Sequence, residues 1–218
     1  GVIIHATASD FYNPWAFELQ MQGIPTVMTR HYPYMDSHYV EANNYQGGYD
    51  ATSYLLELGH RNVGLVTKHP GFMASLRDRI RGYRDAMSDH GLVIKRAMLL
   101  TDLEDHRYVY LEDRSKEHER EVIAELVQFL QQSPEMTAVI CLNDLAAADL
   151  LRAARVTGRV VGQDLSIMGF DNIGISANLE PAITTVNCPT YEIGKAAAKI
   201  LLGELEGTVD ENIGQTLP

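Results

Sequence analysis

The sequence contains few cysteines, no long apolar run and no excess of basic residues. Its 218 residues include 2 cysteines and 1 tryptophan, and 18 lysines and arginines stand against 29 aspartates and glutamates, for a formal net charge of −11. No apolar run approaches the roughly 18 residues that a membrane-spanning helix needs. An acidic chain repels nucleic-acid phosphates. We therefore expect no membrane span and no direct contact between this segment and nucleic acid.

Cross-links and secretion signals are also missing. Cys141 and Cys188 lie in apolar or proline-flanked segments, which predicts a pair of reduced, buried thiols. The sequence has no Asn-x-Ser/Thr sequon, no initiator methionine and no signal-peptide pattern. Because it opens on an apolar run at Gly1, we expect a piece of a longer protein, for which a missing leader says little about the compartment.

Familiar catalytic and metal-binding motifs are absent as well. The sequence contains no G-x-S-x-G, G-x-x-x-x-G-K, H-E-x-x-H or C-x-x-C pattern. His118 and Glu119 begin a zinc pattern whose second histidine is lacking, which favours a solvated helix face. His60 follows Gly59 at a predicted helix end, where a histidine interacts with the helix dipole. The sequence therefore predicts no enzyme, no bound metal and no cofactor.

Short apolar runs alternate with helical patterns along the chain. The composition, 45 % hydrophobic and 22 % charged, is that of a globular domain and excludes a disordered or coiled-coil chain. The runs are continuous rather than alternating, which is typical of parallel strands covered on both faces by helices. Strands are predicted at residues 2–4, 25–29, 62–67, 138–142 and 165–170.

Apolar residues at helical spacing fill the intervals between these runs. Glycine or proline follows several of the stripes, as expected at helix ends. Helices are predicted around residues 51–58, 80–87, 116–131, 146–154 and 193–205, with Asn143 and Asp144 as an N-cap pair. Residues 102–116 are rich in charge, and we expect an exposed excursion there. Strand–helix alternation of this kind indicates an α/β fold with mostly parallel sheets.

Polar side chains follow the predicted strands where those strands end. In open α/β sheets, ligands bind at the carboxyl ends of strands. Each such residue taken alone also fits an N-cap or a turn. Together they favour a polar pocket, since a carboxylate that accepts protons opposite a donating guanidinium suits a sugar. The residues are His5, Arg30, His31, Asn143, Asp144, Asp171 and Asn172, with Ser75 and Arg79 opening the helix after residues 62–67.

Aromatic residues are predicted in loops near the same strand ends. One of them can cover the apolar face of a sugar, although filling the hydrophobic core is the commoner role for any single ring. The set consists of Tyr12, Trp15, Tyr32, Tyr34 and Phe72.

Five segments in order resemble the effector domains of the lactose-repressor/galactose-repressor (LacI/GalR) family of bacterial transcription regulators. Residues 43–63 are similar to its DN-x-x-G…A…L-x-x-x-GH-x-x-I signature, and residues 79–86 to its R-x-x-G-[FWY]-x-x-A segment. Residues 138–147 resemble its A-x-x-x-x-ND-x-x-A segment, and residues 163–172 and 181–197 its closing run. The sequence that follows Thr185 most resembles the arabinose-repressor type of regulator. In that type, a winged helix-turn-helix is fused to such an effector domain.

The resemblance implies a two-lobe, periplasmic-binding-protein-like α/β fold, each lobe having a mostly parallel sheet flanked by helices. Residues 1–41 and 190–206 would form the first lobe, which is incomplete here because its opening strands and helices precede Gly1 in the family. Residues 42–189 and 207–218 would form the second lobe. The ligand would bind in the cleft between the lobes.

The resemblance assigns ligand-binding roles only to residues of this sequence that match a ligand-binding position of the family. Arg79 matches the arginine that binds sugar hydroxyls, and Asp171 matches the aspartate that accepts them. Asn143 and Ser75 match polar residues beside that pair. His5 and Arg30 occupy two first-lobe ligand positions. The family has smaller polar or acidic residues at these two positions, and a Gln or His is frequent where Cys188 stands, so the sugar itself is not identified.

The resemblance also implies the partners. It predicts a cytoplasmic repressor that senses a sugar such as arabinose, or another small polar metabolite. The protein would bind operator DNA through a domain outside these residues and form a homodimer. A transport-type sugar-binding protein of the same fold is the alternative, and an enzyme of doubly wound fold is a third hypothesis. A helix-turn-helix or a signal peptide upstream would discriminate the first two, and turnover of a bound sugar would favour the third.

Overall fold

A computed structural model describes residues 1–5, 14–32, 35–67, 73–101, 116–209 and 212–218. Tertiary contacts divide the chain into two units. The first comprises Gly1–Asn43, Phe72–Ala74 and Pro189–Pro218, and the second comprises Asn44–Gly71 and Ser75–Cys188. No helix among the described residues is both long and apolar enough to cross a membrane.

The elements alternate between strands and helices along most of the chain. In order, they are β1 (Val2–Ile4), α1 (Pro14–Met21), β2 (Thr26–Met28), β3 (His38–Ala42), α2 (Asn44–Glu57), β4 (Val63–Val66), α3 (Ala74–Asp89), a 3-10 helix (Arg96–Met98), β5 (Leu99–Leu100), α4 (Lys116–Gln132), β6 (Ala138–Cys141), α5 (Asp144–Val156), β7 (Ser166–Asp171), α6 (Gly174–Asn178), β8 (Thr184–Asn187), α7 (Thr190–Leu205) and β9 (Gly214–Leu217).

The first unit is built on a parallel sheet in the order β1-β2-β3-β9. Helix α7 packs against β1, β2 and β3, and α1 packs against β2. Ala16, Met28 and Tyr32 are buried together beside this sheet. Tyr32 is therefore a core residue, whereas the Trp15 side chain is 78 % exposed. Tyr12, Tyr34 and Phe72, the other rings of interest, lie outside the described residues.

The end of the chain departs from the sequence-based division. Residues 207–218 were expected with the second lobe, but β9 lies in the first unit, where it pairs in parallel with β3 from Tyr39–Gly214 to Ala42–Leu217. The Tyr39 ring lies over Gly214, where a Cβ would stand 2.6 Å from its Cζ, so a larger residue at this position would require the ring to move. The pairing joins residues far apart in sequence, so no local sequence pattern predicts it.

The second unit is built on a parallel sheet in the order β5-β4-β6-β7-β8. Every residue of β4 and β6 is buried, as their continuous apolar runs predicted. One buried cluster joins α2 and α3 to β4, β6 and β7. Helix α5 packs against β6 and β7, and α4 packs against α5. The order places the ends of β6, β7 and β8 side by side, because all three strands run the same way.

The start of α5 and the two cysteines agree in part with the predictions from the sequence. Asn143 is the N-cap of α5, and its side-chain oxygen accepts a hydrogen bond from Ala146 N at 2.9 Å, which confirms the predicted cap. Cys141 and Cys188 are both free thiols, as predicted. Cys141 is fully buried, as predicted, whereas Cys188 is only half-buried, so the predicted burial is confirmed for one of the two thiols.

Candidate functional site

The Arg79 side chain joins three elements of the second unit. Its Nε donates to Asn44 Oδ1 at 2.9 Å, its Nη1 donates to the Leu142 carbonyl at 2.5 Å, and its Nη2 donates to Asp171 Oδ1 at 3.2 Å. These partners belong to the start of α2, the residue after β6 and the end of β7. The side chain is only 16 % exposed. The planar, forked guanidinium suits this arrangement because its five N–H groups serve several acceptors at once.

An aromatic ring lies under the guanidinium. The Arg79 Cζ stands 3.6 Å from the centroid of the Phe170 ring, within the range of a cation–π contact. Gly47 makes room for that ring, since a Cβ at this position would lie 2.6 Å from Phe170 Cζ. The ring and the three acceptors together fix the plane of the guanidinium.

The Asp171 carboxylate is the acceptor at the centre of the site. Its side chain is 33 % exposed, so it can accept further hydrogen bonds while it pairs with Arg79. Its backbone has φ of 100°, and the following Asn172 has φ of 55°. Two successive non-glycine residues with positive φ are uncommon, and such strain concentrates at functional sites. A turn was one of the alternatives that the sequence left open for these residues, but the positive φ values were not predicted.

Asn143 and Ser75 are the other two predicted ligand residues of the second unit. Asn143 directly follows Leu142, whose carbonyl accepts from Arg79, but its own side-chain oxygen caps α5. Ser75 lies in the first turn of α3, four residues before Arg79 and therefore on the same side of the helix. The structure thus brings Arg79 and Asp171 into contact and places Asn143 and Ser75 on elements adjoining that pair.

His5 and Arg30 belong to the first unit. His5 follows β1, and its Nδ1 lies 2.6 Å from Thr29 Oγ1 at the end of the neighbouring strand β2. The Arg30 Nη1 donates to Met73 Sδ at 2.9 Å. Polar groups therefore also gather at the carboxyl ends of strands in the first unit. Their participation in ligand binding stays a prediction.

Two side chains beside the pair, Asp144 and Cys188, were not among the predicted ligand-binding residues, although Asp144 was predicted at the polar end of a strand. Asp144 is completely buried, and burial raises the pKa of its carboxyl. Burial and the negative charge of Asp171 raise the pKa of the Cys188 thiol, while Arg79 acts in the opposite direction. The thiol therefore lies within the electric field of the Arg79–Asp171 pair.

Thiol reactivity provides a direct check of this arrangement. We expect Cys188 in the native protein to react with a disulfide reagent more slowly than free cysteine, because burial and the Asp171 charge raise its pKa and lower its thiolate fraction. Cys141 should not react until the protein unfolds, since it is fully buried. Rates measured at pH 8 on the Cys141→Ser and Cys188→Ser variants assign each thiol. A rapid first phase that disappears in Cys188→Ser would contradict this environment.

In the part of the chain that the structure describes, no three His, Cys, Asp or Glu side chains are grouped in a way that could hold a metal ion. The His60 side chain contacts a threonine instead, with its Nδ1 2.8 Å from Thr137 Oγ1. Its backbone N–H donates to the Leu55 carbonyl at the end of α2.

Comparison with known proteins identifies the fold family. The model of the periplasmic binding protein-like domain matches residues 52–218. The HTH-type transcriptional repressor CytR of Escherichia coli strain K12 is 33 % identical over 184 residues, which are 84 % of this chain and 50 % of that protein. The arabinose metabolism transcriptional repressor of Halalkalibacterium halodurans is 27 % identical over 210 residues, or 94 % of this chain and 53 % of that one.

A solved structure agrees with these relatives. The complex of the transcriptional regulator CelR with cellobiose superposes with a TM-score of 0.81 at 27 % identity, covering 100 % of this chain and 62 % of that one. The chain spans about half the length of the curated relatives it matches. The chain belongs to the periplasmic binding protein-like domain family, and the relatives that it matches are named as transcriptional regulators.

Proposed function

We propose that this chain is the effector-binding domain of a DNA-binding transcriptional repressor, and that Arg79 and Asp171 bind a sugar or a similar small polar metabolite. The observation that carries the proposal is the contact between the Arg79 guanidinium and the Asp171 carboxylate at 3.2 Å, above the Phe170 ring. A donor fork and a partly exposed acceptor side by side match vicinal hydroxyl groups, which both donate and accept.

The regulator function would act through coupling between two sites. The effector would change the affinity of the whole protein, a homodimer in the cytoplasm, for its operator, and such coupling is typically worth about 1–3 kcal/mol. The net charge of −11 supports a DNA-binding domain separate from these residues. The relatives are named as transcriptional regulators, which favours this function over a transport-type sugar-binding protein and over an enzyme.

Calorimetric titration of the full-length protein with pentoses, hexoses and disaccharides tests the proposal. We expect at least one sugar to bind, and Asp171→Asn to weaken that binding about 10- to 100-fold, because one charged hydrogen bond is worth about 1.5–3 kcal/mol. Asp164→Asn is the matched control, since Asp164 Oδ1 accepts from Val160 N in a turn before β7, at the opposite end of the strand.

The possible outcomes separate the hypotheses. Binding that is lost in Asp171→Asn and kept in Asp164→Asn supports the proposed site. Absence of binding by every sugar in the panel contradicts a sugar effector, and a bound sugar that is converted to a product would favour an enzyme.

A further inference from the structure

The Asp144 carboxylate links three separate segments of the second unit. It is completely buried at the first residue of α5. Its Oδ2 accepts from the Ile173 backbone N at 2.8 Å, and its Oδ1 accepts from the Thr185 hydroxyl at 2.5 Å. Neither partner belongs to α5, so the carboxylate connects this helix to the segment after β7 and to β8.

The Thr185 hydroxyl extends this link by one hydrogen bond. While it donates to Asp144, its oxygen accepts from the Asn172 backbone N at 3.3 Å. The two successive N–H groups after Asp171 are therefore both attached, directly or through Thr185, to the same carboxylate. Hydrogen bonds to an ionised acceptor are stronger than those between neutral groups.

A glycine on β7 makes room for the carboxylate. A Cβ at Gly169 would lie 2.2 Å from Asp144 Oδ1 and 3.2 Å from its Cα, distances at which one of the two must move. Gly169 precedes Asp171 by two residues on the same strand. The approach of Asp144 to the end of β7 thus requires the absence of a side chain at this position.

These contacts surround the strained turn of the candidate site. Asp171 and Asn172 both have positive φ; asparagine adopts φ near 55° at little cost, whereas φ of 100° at Asp171 is less usual and is maintained by its surroundings. The bonds to Asn172 N and Ile173 N are placed where they can impose it. Keeping a carboxylate buried is itself unfavourable, as the raised pKa of Asp144 shows.

We propose that Asp144 is a positioning residue for effector binding: by binding the backbone of the turn after β7, directly and through Thr185, it orients the Asp171 carboxylate towards Arg79 and the ligand. The predicted effect on ligand binding rests on the proposed function, whereas the predicted effect on the backbone conformation does not. The structural part states that the conformation of residues 171–173 depends on Asp144.

Substitutions at Asp144 and Thr185 in the full-length protein test both parts. Asp144→Asn keeps the shape but replaces a charged acceptor by a neutral amide. Thr185→Val keeps the shape and removes the hydroxyl, whereas Thr185→Ser retains it. Asp164→Asn again serves as control, because Asp164 also binds a loop N–H but before β7 rather than after it.

The first readout needs no ligand. In amide NMR spectra and hydrogen exchange of the free protein, we expect the Ile173 and Asn172 amides to shift and to exchange at least about tenfold faster in Asp144→Asn. In Thr185→Val, the Asn172 amide should also shift and exchange faster. In Thr185→Ser, its chemical shift and exchange rate should stay close to those of the wild type. Unchanged amides in Asp144→Asn and Thr185→Val would overturn the proposal.

The second readout is effector affinity by calorimetry. We expect Asp144→Asn and Thr185→Val to weaken binding about 10- to 100-fold, since small displacements of a binding group have effects of this size. Thr185→Ser and Asp164→Asn should bind like wild type. Altered amides with unchanged affinity would overturn the positioning role. If the wild type binds no sugar, the proposed function fails, and the amide readout still decides whether Asp144 controls the turn.

Discussion

Replacing Arg79 by methionine is expected to abolish detectable effector binding and to lower the free energy of unfolding by roughly 2–4 kcal/mol. The guanidinium is mostly buried and donates to Asn44, Leu142 and Asp171, so its removal takes a charged donor from three acceptors at once. The estimate is below the cost of breaking a fully buried ion pair, because the Asp171 side chain is one-third exposed.

Matched variants separate the loss of charge from the loss of geometry. Arg79→Lys keeps the charge but cannot present a planar fork, so we expect binding to fall at least about tenfold with a smaller loss of stability. Arg84→Met is the control, since Arg84 is exposed on the same helix, and a surface change of this kind stays within about 0.5 kcal/mol. Denaturant unfolding followed by circular dichroism and calorimetric titration provide the two measurements. Wild-type affinity in Arg79→Met would rule out the proposed ligand contact.

Gly82→Ala is expected to destabilise the second unit by about 1–3 kcal/mol or more, because α2 and α3 meet backbone to backbone at this glycine. A Cβ at Gly82 would lie 2.2 Å from Tyr45 O and 2.6 Å from Tyr49 N. Gly48 makes the reciprocal approach, with Arg79 O 2.3 Å from the position of a Cβ. Since these atoms are backbone, no side-chain rotation relieves the overlap, and α3 must move away from α2.

The same substitution in another helix should have the opposite sign. A Cβ at Gly194 in α7 would meet no atom within 4 Å, and its φ is not positive. Gly194→Ala should therefore stabilise the protein by about 0.5–1 kcal/mol, the ordinary helix preference of alanine over glycine. Urea unfolding of the two variants measures this contrast. Gly82→Ala should also weaken effector binding, because Arg79 lies at the same crossing. Equal effects of the two substitutions on stability would refute a close helix contact.

The elements that the sequence predicted are those with a strong local signal. β4 and β6 are continuous apolar runs buried at every residue, and α3, α4 and α5 carry clear apolar stripes. Helices α1 and α6 and strands β3, β5, β8 and β9 were not predicted. Helix α1 has exposed apolar residues, including Trp15, Phe17 and Met21, so its sequence shows no amphipathic period. Strands β3 and β9 contain polar or exposed residues, and they pair with each other across most of the chain.

In the candidate site as well, some features were predicted from the sequence and others were visible only in the structure. Resemblance of the sequence to a family drew attention to Arg79 and Asp171, and the structure brings the two side chains to 3.2 Å across 92 residues of sequence. The predicted cap at Asn143 is a short-range property, and it is present. The positive φ at Asp171 and the burial of Asp144 were not predicted, because both arise from contacts with segments remote in sequence.

By itself, the sequence determined the α/β class, the buried parallel strands and the family, because periodic burial and ordered motifs are local properties of a chain. The tertiary structure alone decided that residues 214–217 join the first sheet, that glycines set the crossing of α2 and α3, and that Asp144 reaches the turn after β7. These features depend on which distant backbones approach each other. That choice is made by packing the whole chain rather than by the preference of any one segment.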